Sequence, residues 1–241
     1  MQGLQLFRLF FILLSLIVFF STSEAQFGLR VKYQRSQFSD LEQKIATNLN
    51  ENGRLWNIGF EAGLDYWFRL DKQRIEFMPE VSIGRSVSTF SKATLIDATA
   101  NFYQFQFHTH IYPMDFRDNC NCPTFSRQGA GIEKGFFIHV TPGLMYQQAT
   151  FNFDERAINK AVEPKFDQTV FKFGAGAGVD IGFSDLFTLT PIVSYYMATP
   201  LKYEFIQENG DILISSSTIP TILQFSLRLG FRPDYTGRFR R

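Results

Sequence analysis

Residues 56–69 read Trp-Asn-Ile-Gly-Phe-Glu-Ala-Gly-Leu-Asp-Tyr-Trp-Phe-Arg. Every even position from Trp56 to Phe68 is apolar, whereas the odd positions hold Asn57, Gly59, Glu61, Gly63, Asp65, Trp67 and Arg69. A strand turns successive side chains to opposite faces, so this segment has one apolar face and one small, polar and charged face. The same alternation recurs over 27–35, 55–70, 74–88, 99–113, 135–151, 169–183, 187–205 and 211–232, eight segments in all. Each holds a core of about 9 to 11 alternating residues, the length with which a tilted strand crosses a bilayer. The pattern predicts an all-β chain: an eight-stranded antiparallel up-and-down transmembrane barrel, a meander.

Volume decides which face is outside. An eight-stranded barrel is barely wide enough to hold its own side chains, so the 29 phenylalanines of this chain cannot all point inward. Phe60, Leu64, Phe105, Phe173 and Phe225 are therefore assigned to lipid. The alternate set is small or charged, with Gly59, Gly63, Gly84, Gly143, Gly174, Gly176, Gly178 and Gly182 beside cations and anions in near balance. Buried charge must be paired, so Glu61, Asp65, Glu80, Lys172, Asp180 and Arg228 are predicted to close the lumen as a charge-paired network rather than line a pore. Prolines 79, 142 and 191 fall inside predicted strands, where they suggest a shared bulge.

The N-terminus explains how such a chain reaches a membrane. Arg8 precedes an apolar run from Leu9 to Phe20, and Ser23-Glu24-Ala25 offers small residues at a cleavage site. Residues 1–25 thus have the form of a cleaved secretory signal peptide, and 26–241 of a single barrel domain. The run is too short for a spanning helix. A formal net charge of +1 supports neither nucleic acid nor a polybasic membrane-surface role.

Loop lengths give an orientation. The connections after strands two and six are very short, and those after strands one, three, five and seven are longer and polar, which predicts short periplasmic turns, extracellular loops and periplasmic termini. In the first outer loop Ser39-Asp40-Leu41-Glu42 has the form of a capping box, and Phe38, Leu41, Ile45 and Leu49 follow helical spacing. A short helix over the mouth and an irregular loop are both compatible with it. Asn209-Gly210 is a hairpin turn signal, so strands seven and eight are expected to project beyond the membrane as a ribbon. The connection 114–134 is long yet falls at the periplasmic end.

That connection contains Cys120 and Cys122, and all three histidines, His108, His110 and His139, flank it. Together they are the candidate ligands of a His/Cys metal site. No spacing among them matches a strong zinc pattern, so the reading is no metal and no cofactor, with the histidines hydrogen-bonded in the lumen and the cysteines in a disulfide.

Signal peptide, eight alternating strands and the final strand Leu223-Gln-Phe-Ser-Leu-Arg-Leu-Gly-Phe231 resemble the porin-like outer-membrane β-barrel domain family, which includes small OmpA-type and OmpX-type barrels and PorT-like proteins. The resemblance implies a monomer in outer-membrane lipid of a bacterial cell. It also implies a structural, adhesive or assembly role with periplasmic or extracellular protein partners; PorT-like members imply a place in a protein-secretion apparatus. In that family the last strand often ends in an aromatic at the terminus, whereas here Phe231 is followed by Arg232 to Arg241. A lipid-modifying enzyme would need a nucleophile, base and orienting acid. No serine-centred motif is present, so no catalytic residue is assigned. A small channel and a soluble ligand-binding barrel are the remaining alternatives, and the volume argument disfavours the latter.

Overall fold

The computed structural model describes residues 26–49, 54–69, 75–89, 95–113, 131–153, 165–182, 187–206 and 212–231. The predicted signal peptide, Cys120 and Cys122, and the Asn209-Gly210 turn lie outside them. The elements are β1 (Gln26–Gln37), α1 (Ser39–Leu49), β2 (Ile58–Arg69), β3 (Ile75–Thr89), β4 (Leu95–Ile111), β5 (Gly131–Phe153), β6 (Lys165–Gly182), β7 (Phe187–Ala198), β8 (Leu201–Ile206), β9 (Ile212–Thr218) and β10 (Thr221–Phe231). Eight of the strands close into an antiparallel barrel in the order β1-β10-β7-β6-β5-β4-β3-β2, while β8 and β9 pair only with each other. The seam is the ladder of β1 with β10, which runs from Phe27↔Phe231 to Gln37↔Thr221 without a register shift.

The two faces separate as their chemistry requires. Phe60 and Leu64 are 62% exposed, and Phe105, Phe173 and Phe225 are exposed with them, so the barrel exterior is a continuous apolar belt. A closed barrel has no unpaired edge and can sit in hydrocarbon, where an open sheet cannot. Closure and belt together make this an integral barrel of the bacterial outer membrane. Substituting Phe173→Arg should cost about 2–4 kcal/mol of folding stability in vesicles. A urea titration showing less than about 1 kcal/mol would place this residue at the interface rather than in hydrocarbon.

Three expectations are corrected. Trp56 leaves the alternation of β2: it has a positive φ of 46° and is 1% exposed, buried above the barrel rather than facing lipid. The prolines mark no bulge. Pro79 stays in register with Phe107, Pro142 with Phe173 and Pro191 with Leu227. On the opposite side of each, a few rungs lapse and the ladder resumes at the same offset, as from Gln106↔Gly143 to Thr109↔Val140. A missing N–H removes bonds on one side only, and the intact ladder on the other holds the register. Among the described residues of the barrel the register shifts lie instead at Leu95/Asp97 and Gly131/Gly135.

Strands seven and eight, finally, do not continue outward as a ribbon. They break at Thr199-Pro200 and Ile219-Pro220, and the outer pieces β8 and β9 form a separate two-stranded sheet. Pro220 stands opposite Ala198 and Pro200 two residues further out, so ladder donors are missing on both strands within two rungs. The chain is held by Ala198 N–H donating to Pro220 O at 3.3 Å and Thr199 N–H to Phe171 O at 2.8 Å. The freed hairpin folds over the mouth. Leu201, Tyr203 and Phe205 join Leu41 and Ile45 of α1 and Phe38 just before it, with Leu55, Trp56 and Phe151, in one buried cluster.

Candidate functional site

Two regions carry the unusual chemistry: the filled lumen and the cap. In the lumen, β1 supplies the central cations. Lys32 Nζ lies 2.5 Å from both Glu61 Oε1 and Glu80 Oε1 and donates to Gln106 Oε1 at 2.7 Å. Arg30 Nε is 3.2 Å from Glu80 Oε2 and its Nη2 3.5 Å from Asp65 Oδ2. Arg228 grips Asp65 through Nε and Nη2, at 2.8 and 2.6 Å. A Cβ at Gly28 would sit 2.5 Å from Asp65 Oδ1 and 2.6 Å from Arg228 Nε, so only glycine leaves room for that pair.

The remaining charges are tied in through neutral groups. Lys172 Nζ donates to Gln104 Oε1 at 2.5 Å and sits 4.3 Å from the centre of the Tyr196 ring, a cation–π contact. Gln104 in turn donates to Glu61 Oε2 at 3.1 Å. Asp180 accepts from Tyr112 at 2.6 Å and from Thr190 at 2.5 Å, and Glu76 accepts from Trp67 Nε1 at 2.7 Å. The six charges singled out from sequence are thus all inside the barrel. Arg30 and Lys32, joined through Glu80, with Gln106 and Gln104 leading on to Lys172, are the residues around which these contacts gather.

The histidines are brought close without converging on a point. His108 and His139 have ring centroids 6.0 Å apart, and His110 stacks on Phe137 at 4.0 Å. Among the described residues no three His, Cys, Asp or Glu side chains are placed to hold a metal ion. Among the described residues neither ring nitrogen of His110 has a hydrogen-bond partner, contrary to the expectation for it. His108 and His139 form a chain: Ser194 Oγ is 2.7 Å from His139 Nε2, Thr141 Oγ1 3.1 Å from His139 Nδ1, and His108 Nδ1 2.9 Å from Thr141 Oγ1. His108 Nε2 then meets Glu80 Oε2 at 2.8 Å, nearer than Arg30 Nη1 at 3.0 Å. With the nearer carboxylate as acceptor, one polarity satisfies every link: Ser194 donates to His139, His139 to Thr141, Thr141 to His108 and His108 to Glu80. A nucleophile and base in this relation form a reactive pair when substrate can reach them. Here Ser194 and His139 are buried at 2% and 0% exposure.

The cap is apolar inside and polar outside. Trp56 is its keystone, with ring centroids 5.1 Å from Phe38, 5.2 Å from Phe151 and 5.7 Å from Tyr203. Its backbone N–H donates to Ser88 Oγ on β3, and Lys44 Nζ of α1 donates to the Ser215 carbonyl of β9. Ser39–Leu49 is helical, which decides between the helix and the irregular loop that the sequence left open. The capping-box glutamate also ties the helix to the chain beyond it, because Glu42 Oε1 accepts the Leu55 N–H at 2.9 Å.

Burial lifts the Glu42 carboxyl above its ordinary value, while the Leu55 N–H and the Arg54 guanidinium pull it back. A carboxyl raised on folding binds its proton more tightly in the folded state, so its ionisation weakens the cap as pH rises through the acidic range. Glu42→Gln keeps an acceptor for Leu55 without the charge. It should slow amide exchange in α1 at neutral pH, with no gain below about pH 4, where glutamate is protonated in both states. Equal gain at both pH values would remove the charge explanation.

No family model matches this sequence, and no curated protein matches it. Among solved structures, the chain is similar to Neisserial surface protein A, at 13% identity over 86% of this chain and 97% of that one, with a TM-score of 0.44. It is similar to Ail, the attachment invasion locus protein of Yersinia pestis, at 13% identity over 87% and 98%, TM-score 0.42. The N-terminal β-barrel domain of Pseudomonas aeruginosa OprF is similar at 12% identity over 84% and 96%, TM-score 0.35.

Proposed function

We propose that the protein is a sealed, non-enzymatic outer-membrane barrel that works through its two rims in an adhesive or assembly role. Residues 1–25 serve as its signal peptide, the cap lies outside the cell, and the connection 114–130 meets the periplasm. One observation supports this most: the lumen is filled by side chains bonded to one another, and the mouth above it is closed by the cluster around Trp56. A permeant solute would have to displace buried ion pairs, and a lumen enzyme would need access to Ser194, which is covered. Loops on a rigid scaffold are where recognition is then placed.

Planar-bilayer recording of the purified protein is expected to show no large stable conductance, and a steady porin-like current would defeat the reading. Because β8 and β9 share no ladder with the barrel, deleting residues 203–217 should leave an inserted, heat-modifiable barrel that has lost cell adhesion or its co-purifying partner. Full activity of that deletion, with loss of activity in His139→Ala, would instead favour chemistry in the lumen.

A further inference from the structure

On the lipid-facing side of β2 to β5 a shallow groove of about 740 Å³ opens between Leu64, Ile83, Tyr103, Phe105, Leu144 and Tyr146. Its floor includes Ala62, which pairs with Val31 on one side and Ile83 on the other. A one-carbon side chain in a row of large ones leaves the gap. The next outward row toward the cap runs Tyr33, Phe60, Arg85, Asn101, Gln148 and Asp167 across successive strands. Arg85 is exposed on the outer face, two residues beyond Ile83 and so roughly 7 Å further along the strand. It enters none of the ion pairs formed among the described residues. Gln148 donates to Tyr146 Oη at 3.3 Å, joining the polar row to the groove wall. The acidic member of the row, Asp167, stands three strands from Arg85, roughly 14 Å away.

An unpaired arginine on a lipid-facing surface is costly in hydrocarbon and favourable at the level of anionic headgroups. We propose that Arg85 and the groove beneath it bind one anionic, phosphate-bearing lipid of the leaflet at the cap end, with an acyl chain in the groove and the phosphate on the guanidinium. The planar guanidinium offers a bidentate match to two phosphate oxygens, and Asn101 beside it places an amide donor on the same row. The groove adds what a headgroup contact alone lacks: a fixed seat for a chain between the stacked rings of Tyr103 and Tyr146 and the aliphatic residues below.

The test is native mass spectrometry of the protein released from nanodiscs of equal parts phosphatidylglycerol and phosphatidylcholine, with heat-modifiable migration checking that each variant is folded. The wild-type protein should retain one phosphatidylglycerol in preference to phosphatidylcholine. Arg85→Gln should lower that retention about fivefold, the equivalent of one basic residue at a charged membrane surface. Should that variant misfold, Arg85→Lys keeps the charge without the fork and should give an intermediate loss. Ala62→Phe, which fills the groove and spares Arg85, should displace lipids of both headgroups. Arg35→Gln removes an exposed cation of β1 outside the groove and should change nothing. Equal retention of the two lipids by the wild type, or equal loss from Arg35→Gln and Arg85→Gln, would overturn the site in favour of diffuse attraction. A dimer that Ala62→Phe dissociates, with lipid retention unchanged, would make the groove an interface between copies and overturn it too.

Discussion

Replacing Lys32 by methionine is expected to destabilise the inserted barrel by about 3–5 kcal/mol, the cost of stripping the partner from a buried charge. Its ammonium stands 2.5 Å from Glu61 and 2.5 Å from Glu80 with no exposed surface, so its loss leaves two carboxylates sharing what donors remain. Methionine preserves length and apolar packing, so a cavity is not the cause of the loss. The urea midpoint of the heat-modifiable band measures it. Adding Glu61→Gln should recover part of the loss, since Ser82 and Gln104 still bond that side chain while Arg30 still pairs Glu80. A single-variant cost below about 1 kcal/mol, the range of solvated pairs, would mean that water replaces the amine and that the lumen is wet.

Trp56→Ala should cost the cap about 3–5 kcal/mol, because it empties the centre of an aromatic cluster that cannot collapse onto a fixed barrel rim. The loss should be local. The indole packs on Phe38 just before α1, on β5 through Phe151 and on β8 through Tyr203, and it takes no part in any barrel ladder. Limited proteolysis should therefore cut α1 and the β8–β9 hairpin in the variant while the barrel stays heat-modifiable. An equal drop in barrel stability would show the cap and barrel to be one cooperative unit.

How much of the fold is legible in the chain alone is clearest at β2. The alternation from Ile58 to Phe68 is visible in the letters and assigns Phe60 and Leu64 to lipid, Glu61 and Asp65 to the lumen, because period two is a local property of the chain. Which residues pair across the lumen is not local. Lys32 meets Glu80 and Gln106 only because β1, β3 and β4 come together across a narrow lumen, and a one-residue slip would scatter them. Trp56 escapes the pattern for a related reason: its apolar character fits the period, but the chain turns at a positive φ two residues before the strand begins. The signal for the folded hairpin is present in Pro200 and Pro220. It needs the register to show that the two prolines fall within two rungs of each other on neighbouring strands. The Ser194–His139–Thr141–His108 chain spans four separated positions on three strands and has no motif to read.

The hairpin made by that interruption has a consequence for how the outer surface can change over time. Along β8 the inward Leu201, Tyr203 and Phe205 are buried while Lys202 and Glu204 are exposed, and on β9 Ser215 and Ser217 are exposed while Ser216 and Thr218 are buried. Since this sheet shares no ladder with the barrel and is tied to β6 by the Gln168 side chain bonding the Lys202 backbone, the exposed side chains are free of both core packing and barrel register. With the cap outside the cell, as proposed, immune or phage pressure can rewrite those residues one by one, leaving intact the seal beneath and the wall that carries it.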